Sequence, residues 1–273
     1  MVGERGRLAA IGTGAQLTLA ALVVLLPIAW MVTGSFKDST AVTAYPPQLL
    51  FRPTLANYVT LLQTMAFARY ALNSLVVALG ATALGLALGV PAAFAVSWNR
   101  MEWPAVLMLA ARMAPGALFL LPWFVMFSAA GAIDTYWVLI ATHAVIALPL
   151  VVWVMLPAFD ALPRALVEAA QIDGCSELAV LLRVALPIAA PGVVVAAILA
   201  FVFTWNYFLF ALVLSGFRTK TLIVASFNFV GEGVTDWGAL MAAATLIALP
   251  PLVLALAVQK RLAAGLAAGA VKG

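Results

Sequence analysis

Charge is the scarcest property of this sequence, because only 14 Lys and Arg and 10 Asp and Glu residues carry it among 273. Charged residues make up 9% and apolar residues 66% of the chain. Soluble domains carry about 25% charged residues, since a folded chain needs a polar shell. The composition therefore excludes a soluble enzyme, a disordered chain and a nucleic-acid-binding domain, and it indicates an integral membrane protein.

Residues that build redox, metal and phosphate sites are equally rare. Cys175 is the single cysteine, which excludes a disulfide framework and a cysteine-based zinc site. His143 is the single histidine, and we expect it to be a packed polar residue without a metal. None of the four lysines follows a G-x-x-x-x-G-K-[ST] loop, so the sequence encodes no ATP-binding loop of that type.

Long apolar runs are what the sequence has in abundance. About 20 apolar residues cross a bilayer as a helix, and these runs lack the alternation of barrel strands. The first run is too long for a signal peptide, and no cleavage site follows Trp30. The sequence predicts one all-α membrane domain over residues 1–273, with six transmembrane helices at 12–34, 70–98, 104–130, 135–158, 187–215 and 238–259.

The basic residues predict the orientation of these helices. Six spans place both termini on one side, and basic residues concentrate on the cytoplasmic side of membrane proteins. Cytoplasmic termini put eight basic residues inside and five outside, so we expect this orientation. The inside set is Arg5, Arg7, Arg100, Arg164, Arg183, Lys260, Arg261 and Lys272, and the outside set is Lys37, Arg52, Arg69, Arg218 and Lys220.

The cytoplasmic loop at 160–186, between the fourth and fifth spans, has strong local signals. Pro163 suits the first turn of a helix, and Gly174 suits the left-handed residue that ends one. Ser176 then suits the N-cap of a second helix, which stops at Pro187. One interpretation is a helix pair lying on lipid. Lipid-surface helices are usually basic, however, and this acidic loop fits a basic protein socket better.

The same loop resembles the EAA loop of the permease subunits of ABC importers. The resemblance rests on Glu168-Ala169-Ala170, Gly174, Leu186-Pro187 and Pro191-Gly192, with Val184 in place of the usual isoleucine. It extends to Arg52–Tyr58, to Asn73-Ser74 and to Thr204-Trp205-Asn206. The C-terminal segment Gly265–Gly273 is similar to the tail of the maltose-type permease subunit, which points to the carbohydrate-uptake branch.

The resemblance implies where ATPase subunits bind. In the family this loop is the coupling helix, so Glu168 would meet an arginine of the ATPase, and the small alanines would allow close approach. The implied docking residues are Glu168, Ala169, Ala170, Asp173, Gly174, Leu186 and Pro187. The cytoplasmic tail, 260–273, would insert between two ATPase subunits; the alternative is a frayed terminus. Its implied contacts are Gly269, Val271, Lys272 and Gly273.

The resemblance also implies the partners and the setting. The chain would assemble in a prokaryotic inner membrane with a second homologous permease subunit, two ATPase subunits and an extracytoplasmic solute-binding protein. ATP and Mg would be bound by the ATPase subunits, with no cofactor on this chain, which would not be an enzyme. The solute would be a sugar, a polyol or a related small polar molecule.

Four residues are candidates for the solute path: Arg112, Trp205, Asn206 and Tyr207. Arg112 is the only charge well inside a span, and it precedes Pro115-Gly116, which can kink a helix. Its guanidinium suits hydroxyls, a carboxylate or a phosphate; alternatively it reaches the membrane interface or pairs with a partner subunit. An aromatic ring beside an amide suits a sugar, or helix packing. Tyr207 replaces the family's more usual acidic residue.

Other classes of membrane protein fit less well. A self-contained secondary transporter needs internal repeats and ionisable midplane residues, and neither is evident. A channel needs a filter or a charged ring, and a membrane enzyme needs a catalytic constellation. The sequence shows no filter, charged ring or catalytic constellation. The alternative to an importer permease is therefore a self-contained secondary transporter or another polytopic membrane protein.

Overall fold

The computed structural model describes residues 2–64, 66–229 and 235–270, with the backbone alone at 2–11, 64, 102, 228 and 258–270. These ranges contain α-helices and no strand, which confirms the predicted all-α class. The helices are α1 (Val2–Ser35), α2 (Ser39–Val42), α3 (Ala56–Thr64), α4 (Phe67–Trp98), α5 (Glu102–Met113), α6 (Ala117–Ala129), α7 (Tyr136–Asp160), α8 (Arg164–Ile172), α9 (Glu177–Val180), α10 (Leu186–Ile188), α11 (Ala190–Trp205), α12 (Leu209–Leu214), α13 (Leu222–Ser226) and α14 (Trp237–Ala270).

Apolar helices long enough to cross a bilayer number four among the described residues. They are Gly12–Ser35, Phe67–Trp98, Tyr136–Asp160 and Trp237–Ala257. Two further pairs of helices qualify together but are sharply bent. Trp103–Met113 meets Ala117–Ala129 at 88°, and Glu177–Ile188, in which a π-helical turn at Leu181–Ala185 joins α9 to α10, meets Ala190–Trp205 at 86°. Six spans result if each bent pair crosses the membrane once, so the count of six stays a prediction.

The predicted third and fifth spans are interrupted helices. In the third, α5 ends at Met113 and α6 begins at Ala117, across the Pro115-Gly116 pair that predicts a kink. The fifth bends at Ala189, and it breaks again between Trp205 and Leu209. No proline or glycine marks this last break in the sequence, which is why it was not predicted.

The chain divides into two compact units, each with its own apolar cluster. One unit takes Met1–Phe67 and Ser226–Ala248, and the other takes Ala68–Ala225 and Leu249–Gly273. The cluster of the first unit is built on Leu61, Ala242 and Ala243. In the second unit, α7 packs along α11, and the larger cluster includes Val151, Met155, Val180, Ala185 and Ala196.

The segments that carry the family resemblance hold loops in place within each unit. The Asn57 amide donates to the backbone carbonyls of Ser35 and Lys37 at 2.8 Å each, which fixes the end of α1. In the second unit the Asn73 amide donates to the carbonyls of Arg218 and Lys220, at 3.0 and 2.9 Å. Both asparagines are buried, so each satisfies backbone groups that burial would otherwise leave unpaired.

Asp134 organises the loop after α12 in the second unit. Its carboxylate accepts hydrogen bonds from the backbone N–H groups of Gly216, Arg218 and Thr219, and from the Thr219 hydroxyl, at 2.7–2.9 Å. Burial raises the pKa of the Asp134 carboxyl, but these four bonds outweigh burial and leave the pKa below its ordinary value. The ionised carboxylate is therefore the form that the fold stabilises.

We expect the protein to lose thermal stability at acidic pH as the Asp134 carboxylate becomes protonated. The stabilisation is complete above the ordinary carboxyl pKa of about 3.9 and is lost as pH falls through the lower folded pKa. Asp134→Asn should lower stability at pH 7 by about 1–3 kcal/mol and flatten the pH dependence below about pH 4. Melting curves in detergent between pH 3 and 7 measure both, and the exposed Asp173→Asn is the control. An unchanged acid limb in Asp134→Asn would contradict the assignment.

Candidate functional site

The loop between α7 and α11 has the helix–glycine–helix form that its local signals predict. Helix α8 begins directly after Pro163, and Asp173 caps its C-terminus. Gly174 follows with φ of +83°, the left-handed conformation that glycine adopts without a steric penalty. The Ser176 hydroxyl then accepts a hydrogen bond from the Ala179 N–H, at 3.3 Å, and caps α9. The predicted N-cap and glycine terminator are confirmed.

One buried side chain on each side of the turn fixes this loop to the second unit. Val167 on α8 is 2% exposed, and Val180 at the end of α9 is fully buried. Both belong to the cluster that contains Phe159 at the end of α7 and Ala185 before α10. A force on α8 is therefore transmitted to the long helices through close-packed side chains, since such interiors compress little.

The opposite face of the loop is open and acidic. Glu168, Ala169, Asp173, Gly174 and Pro187 are exposed among the predicted docking residues. The other two, Ala170 and Leu186, are half-buried and pack on the apolar cluster.

The structure adds one residue to this face that the sequence analysis missed. Ile172 is 86% exposed, and it lies four residues after Glu168, on the same side of α8. An isoleucine at helical spacing from Glu168 is the signal that could have found it. Leu166 and Leu178 on the same loop are also exposed, so the loop carries several uncovered apolar side chains, as surfaces that bind protein partners do.

A second candidate site lies where the two interrupted spans meet. A cavity of about 340 Å³ is lined by both Arg112, near the end of α5, and Tyr207, in the break after α11. The Arg112 guanidinium carbon lies 5.0 Å from the centre of the Phe203 ring, a cation–π contact. The remaining lining residues are Ala111, Ala114, Gly116, Phe119, Val145, Ile146, Pro149 and Phe210.

Gly116 makes the approach of Tyr207 to the α5–α6 break possible. A Cβ atom at Gly116 would overlap the Tyr207 hydroxyl, so any side chain there would displace the phenol. The Tyr207 ring also packs against Phe210 and edge-on against His143, with ring centres 4.5 and 5.7 Å apart. His143 is 1% exposed and its Nδ1 bonds the Leu139 carbonyl at 2.7 Å, as expected for a packed polar residue.

The other two predicted path residues lie outside this cavity. Trp205 is 5% exposed and stacks on Phe201, one turn earlier in α11, with ring centres 5.6 Å apart. Asn206 is exposed and its amide donates to the Val202 carbonyl at 2.8 Å, which caps α11. The structure thus brings Arg112 and Tyr207 together and separates them from Trp205 and Asn206.

The predicted tail contacts fall almost entirely beyond the described ranges. Gly269 lies in the backbone of α14, and Val271, Lys272 and Gly273 lie outside the described residues. Within the part of the chain that is described, no group of three His, Cys, Asp or Glu side chains is placed to hold a metal ion.

Comparison with known proteins gives consistent matches over nearly the whole chain. Residues 18–267 match the family described as binding-protein-dependent transport system inner membrane component. The chain is 34% identical over 264 residues to the trehalose/maltose transport system permease protein MalG of Thermococcus litoralis, covering 93% of this chain and 94% of that protein. It is also 34% identical to the trehalose transport system permease protein SugB of Mycobacterium tuberculosis, covering 94% and 95%.

A solved structure shares the fold. A chain of a bacterial ABC transporter involved in the import of the acidic polysaccharide alginate superimposes with a TM-score of 0.76 at 20% identity. The superposition covers 93% of this chain and 96% of that one. This chain therefore has a fold already known from a solved structure.

Proposed function

Because the chain belongs to the family of inner-membrane components of binding-protein-dependent transport systems, we propose that it is the permease subunit of an ATP-driven importer for a sugar, polyol or related small polar solute. Its relatives include permease proteins named for trehalose, maltose and α-glucosides. The structural observation that carries the proposal is the α8–Gly174–α9 loop. It presents Glu168 and Ile172 outward and is fixed to the core by Val167.

The assembly supplies what this chain lacks. A second permease subunit completes the translocation path, and an extracytoplasmic binding protein delivers the solute. Two ATPase subunits bind and hydrolyse ATP with Mg, since this sequence has no phosphate-binding loop of the G-x-x-x-x-G-K-[ST] type. The chain is a multi-pass membrane protein. More basic residues fall on the side that carries α8 than on the opposite side, which supports cytoplasmic termini.

The proposed mechanism is rigid-body coupling. ATP binding closes the ATPase pair, and the closure moves α8 through the Glu168 face. Because α8 and α9 share a close-packed cluster with α7 and α11, the long helices move with the loop. The solute cavity then changes the side of the membrane to which it opens, which is alternating access. The C-terminal tail, through Gly269 and residues 271–273, adds a second contact with the ATPase pair.

The candidate contacts for the solute on this chain are Arg112 and Tyr207. They line one cavity at the junction of two interrupted helices, where irregular backbone is tolerated because it faces a cavity. Trp205 and Asn206, which pack and cap α11, support the path indirectly in this proposal.

Co-purification and uptake test the proposed function. The tagged chain, extracted in mild detergent, is expected to carry a second permease subunit and an ATPase chain. Proteoliposomes of the complete assembly should accumulate solute only with ATP and the binding protein. Uptake by the isolated chain, without any ATPase subunit, would contradict the proposal and favour a self-contained secondary transporter.

A further inference from the structure

Arg112 is the only charged residue that lines the cavity of about 340 Å³. No acidic side chain is among the residues that line it, nor among those of the adjoining cavity of about 170 Å³ that Arg112 also borders. A charge inside a membrane span is expensive unless a counter-charge meets it. The described residues around Arg112 therefore leave a positive site that needs an anion from elsewhere.

The walls of the same cavity suit the ring of a sugar. Four aromatic side chains line it; Phe210 is fully buried, the other three have accessible surface, and one of these, Tyr207, adds a hydroxyl. Aromatic rings pack against the apolar C–H faces of a pyranose, and the phenol offers a hydrogen bond to its hydroxyls. The aromatic residues are Phe119, Phe203, Tyr207 and Phe210.

Phe203 also holds the guanidinium in place. The guanidinium carbon lies 5.0 Å from the ring centre, a cation–π contact, and the guanidinium carries five N–H donors in a planar fork. Those donors match the paired oxygens of a carboxylate, a sulfonate or a phosphate, which they bind in a fork. A neutral hydroxyl uses one donor at a time and leaves the charge uncompensated.

We propose that this cavity is a subsite for a negatively charged sugar, whose acidic group pairs with Arg112 while its ring stacks on the aromatic walls. The inference rests on the proposed importer function and specifies the chemical class of its solute. The acidic group is a carboxylate, sulfonate or phosphate.

Two further cavities follow this one, and their charged lining is mainly positive. The cavity of about 170 Å³ borders Arg112 on one side and Trp153 on the other, and Trp153 also borders a third cavity of about 460 Å³. Among the side chains that the structure describes, two more arginines, Arg100 and Arg164, line this third cavity, together with the carboxylate of Asp160. An anion leaving Arg112 therefore meets a further excess of positive charge at the ends of α4 and α7.

Arg100 ends α4 in a left-handed conformation, with φ of 54°. Its N–H donates to the Ser97 carbonyl at 3.3 Å and the Met101 N–H donates to the Val96 carbonyl at 3.1 Å, the hydrogen-bond pattern that closes many helices. The residue that ends α4 therefore adds a cation to the lining of the third cavity.

Charge-selective labelling of the cavity tests the proposal in the complete importer. Val145→Cys, in a Cys175→Ser background, places one thiol of this chain in the cavity wall, and mass spectrometry follows its modification. We expect anionic methanethiosulfonate ethylsulfonate to react about fivefold faster than the cationic ethyltrimethylammonium reagent, after correction for their reactivity with free thiol. Arg112→Gln should abolish this preference, and Arg112→Lys should retain it.

The controls separate charge in the cavity from general effects. Leu50→Cys in the same background is the control, because Leu50 is 96% exposed and does not line the cavity, so Arg112→Gln should change neither rate there. Glucuronate is expected to slow labelling at Val145→Cys, and glucose at the same concentration is not. Equal rates for the two reagents, protection by glucose alone, or no reaction in the cavity would each overturn the proposal. Pairing of Arg112 with a carboxylate of the partner subunit would give the first of these results.

Two further measurements show whether the anion is a lipid or a solute, and whether a negative result contradicts this inference or the proposed function. Nanodiscs of phosphatidylcholine alone contain no anionic headgroup. Loss of labelling only when phosphatidylglycerol is added would assign the site to lipid and overturn the solute proposal. An importer that takes up a sugar with ATP but shows no charge preference contradicts this inference alone. An importer with the charge preference but no ATP-driven uptake contradicts the proposed function.

Discussion

Reversing the charge of one exposed side chain, in Glu168→Lys, is expected to abolish solute-stimulated ATP hydrolysis by the importer while the chain still inserts and assembles in the membrane. Glu168 is exposed on α8, and the side chain that anchors this helix is its neighbour Val167, which is 2% exposed. The substitution therefore leaves the packing of α8 intact. Placing a like charge opposite a charged residue of the ATPase should weaken docking by about 2–5 kcal/mol. This corresponds to a loss of about 30-fold or more in docking affinity.

The measurement is ATP hydrolysis in proteoliposomes with and without loaded binding protein. Glu168→Gln, which removes the charge and keeps the shape, should give an intermediate stimulation. The matched control is Glu177→Lys, the same charge reversal at an exposed carboxylate in the first turn of α9. Normal stimulation in Glu168→Lys would refute the docking role, and equal loss in both variants would indicate a general effect of loop charge.

This loop is the part of the protein that could be predicted best from sequence, because its signals are local. Pro163, Gly174 and Ser176 each act on the backbone within four residues, so their effects do not depend on which helices pack together. The outward direction of Glu168 is also set locally. In the nine-residue helix α8, Val167 is the buried residue, so its neighbour Glu168 lies on the exposed side.

The solute cavity could not be predicted in the same way, because it depends on contacts between distant segments. Arg112 and Tyr207 are 95 positions apart in the chain, and they share a cavity only because α5 and α11 both end there. Trp205 stands two residues before Tyr207, yet it packs on Phe201 rather than in the cavity. The break after Trp205 decides which aromatic ring faces the cavity, and no proline or glycine announces that break.

The close approach of α4 and α7 leads to an expected effect on both stability and coupling. Gly85 and Gly89 form a G-x-x-x-G pair on the buried side of α4, a pattern that lets membrane helices come into backbone contact. A Cβ atom at Gly85 would lie 2.8 Å from the Ala147 Cβ, and one at Gly89 would lie 2.8 Å from Val151 Cγ1. Ala147 and Val151 are buried on α7, in the cluster that also anchors α8.

We therefore expect Gly85→Leu and Gly89→Leu to destabilise the protein by about 1–3 kcal/mol each, since overpacking forces the helices apart. Because the displaced helix belongs to the same cluster as the α8 loop, coupled ATP hydrolysis should fall together with stability. Thermal unfolding of the detergent-solubilised importer measures the first effect. Gly14→Leu is the matched control, because no atom lies within 4 Å of a Cβ at that position. Wild-type melting temperatures for both α4 variants would show that this helix contact is loose enough to admit side chains, and would remove the rigid connection on which the coupling mechanism depends.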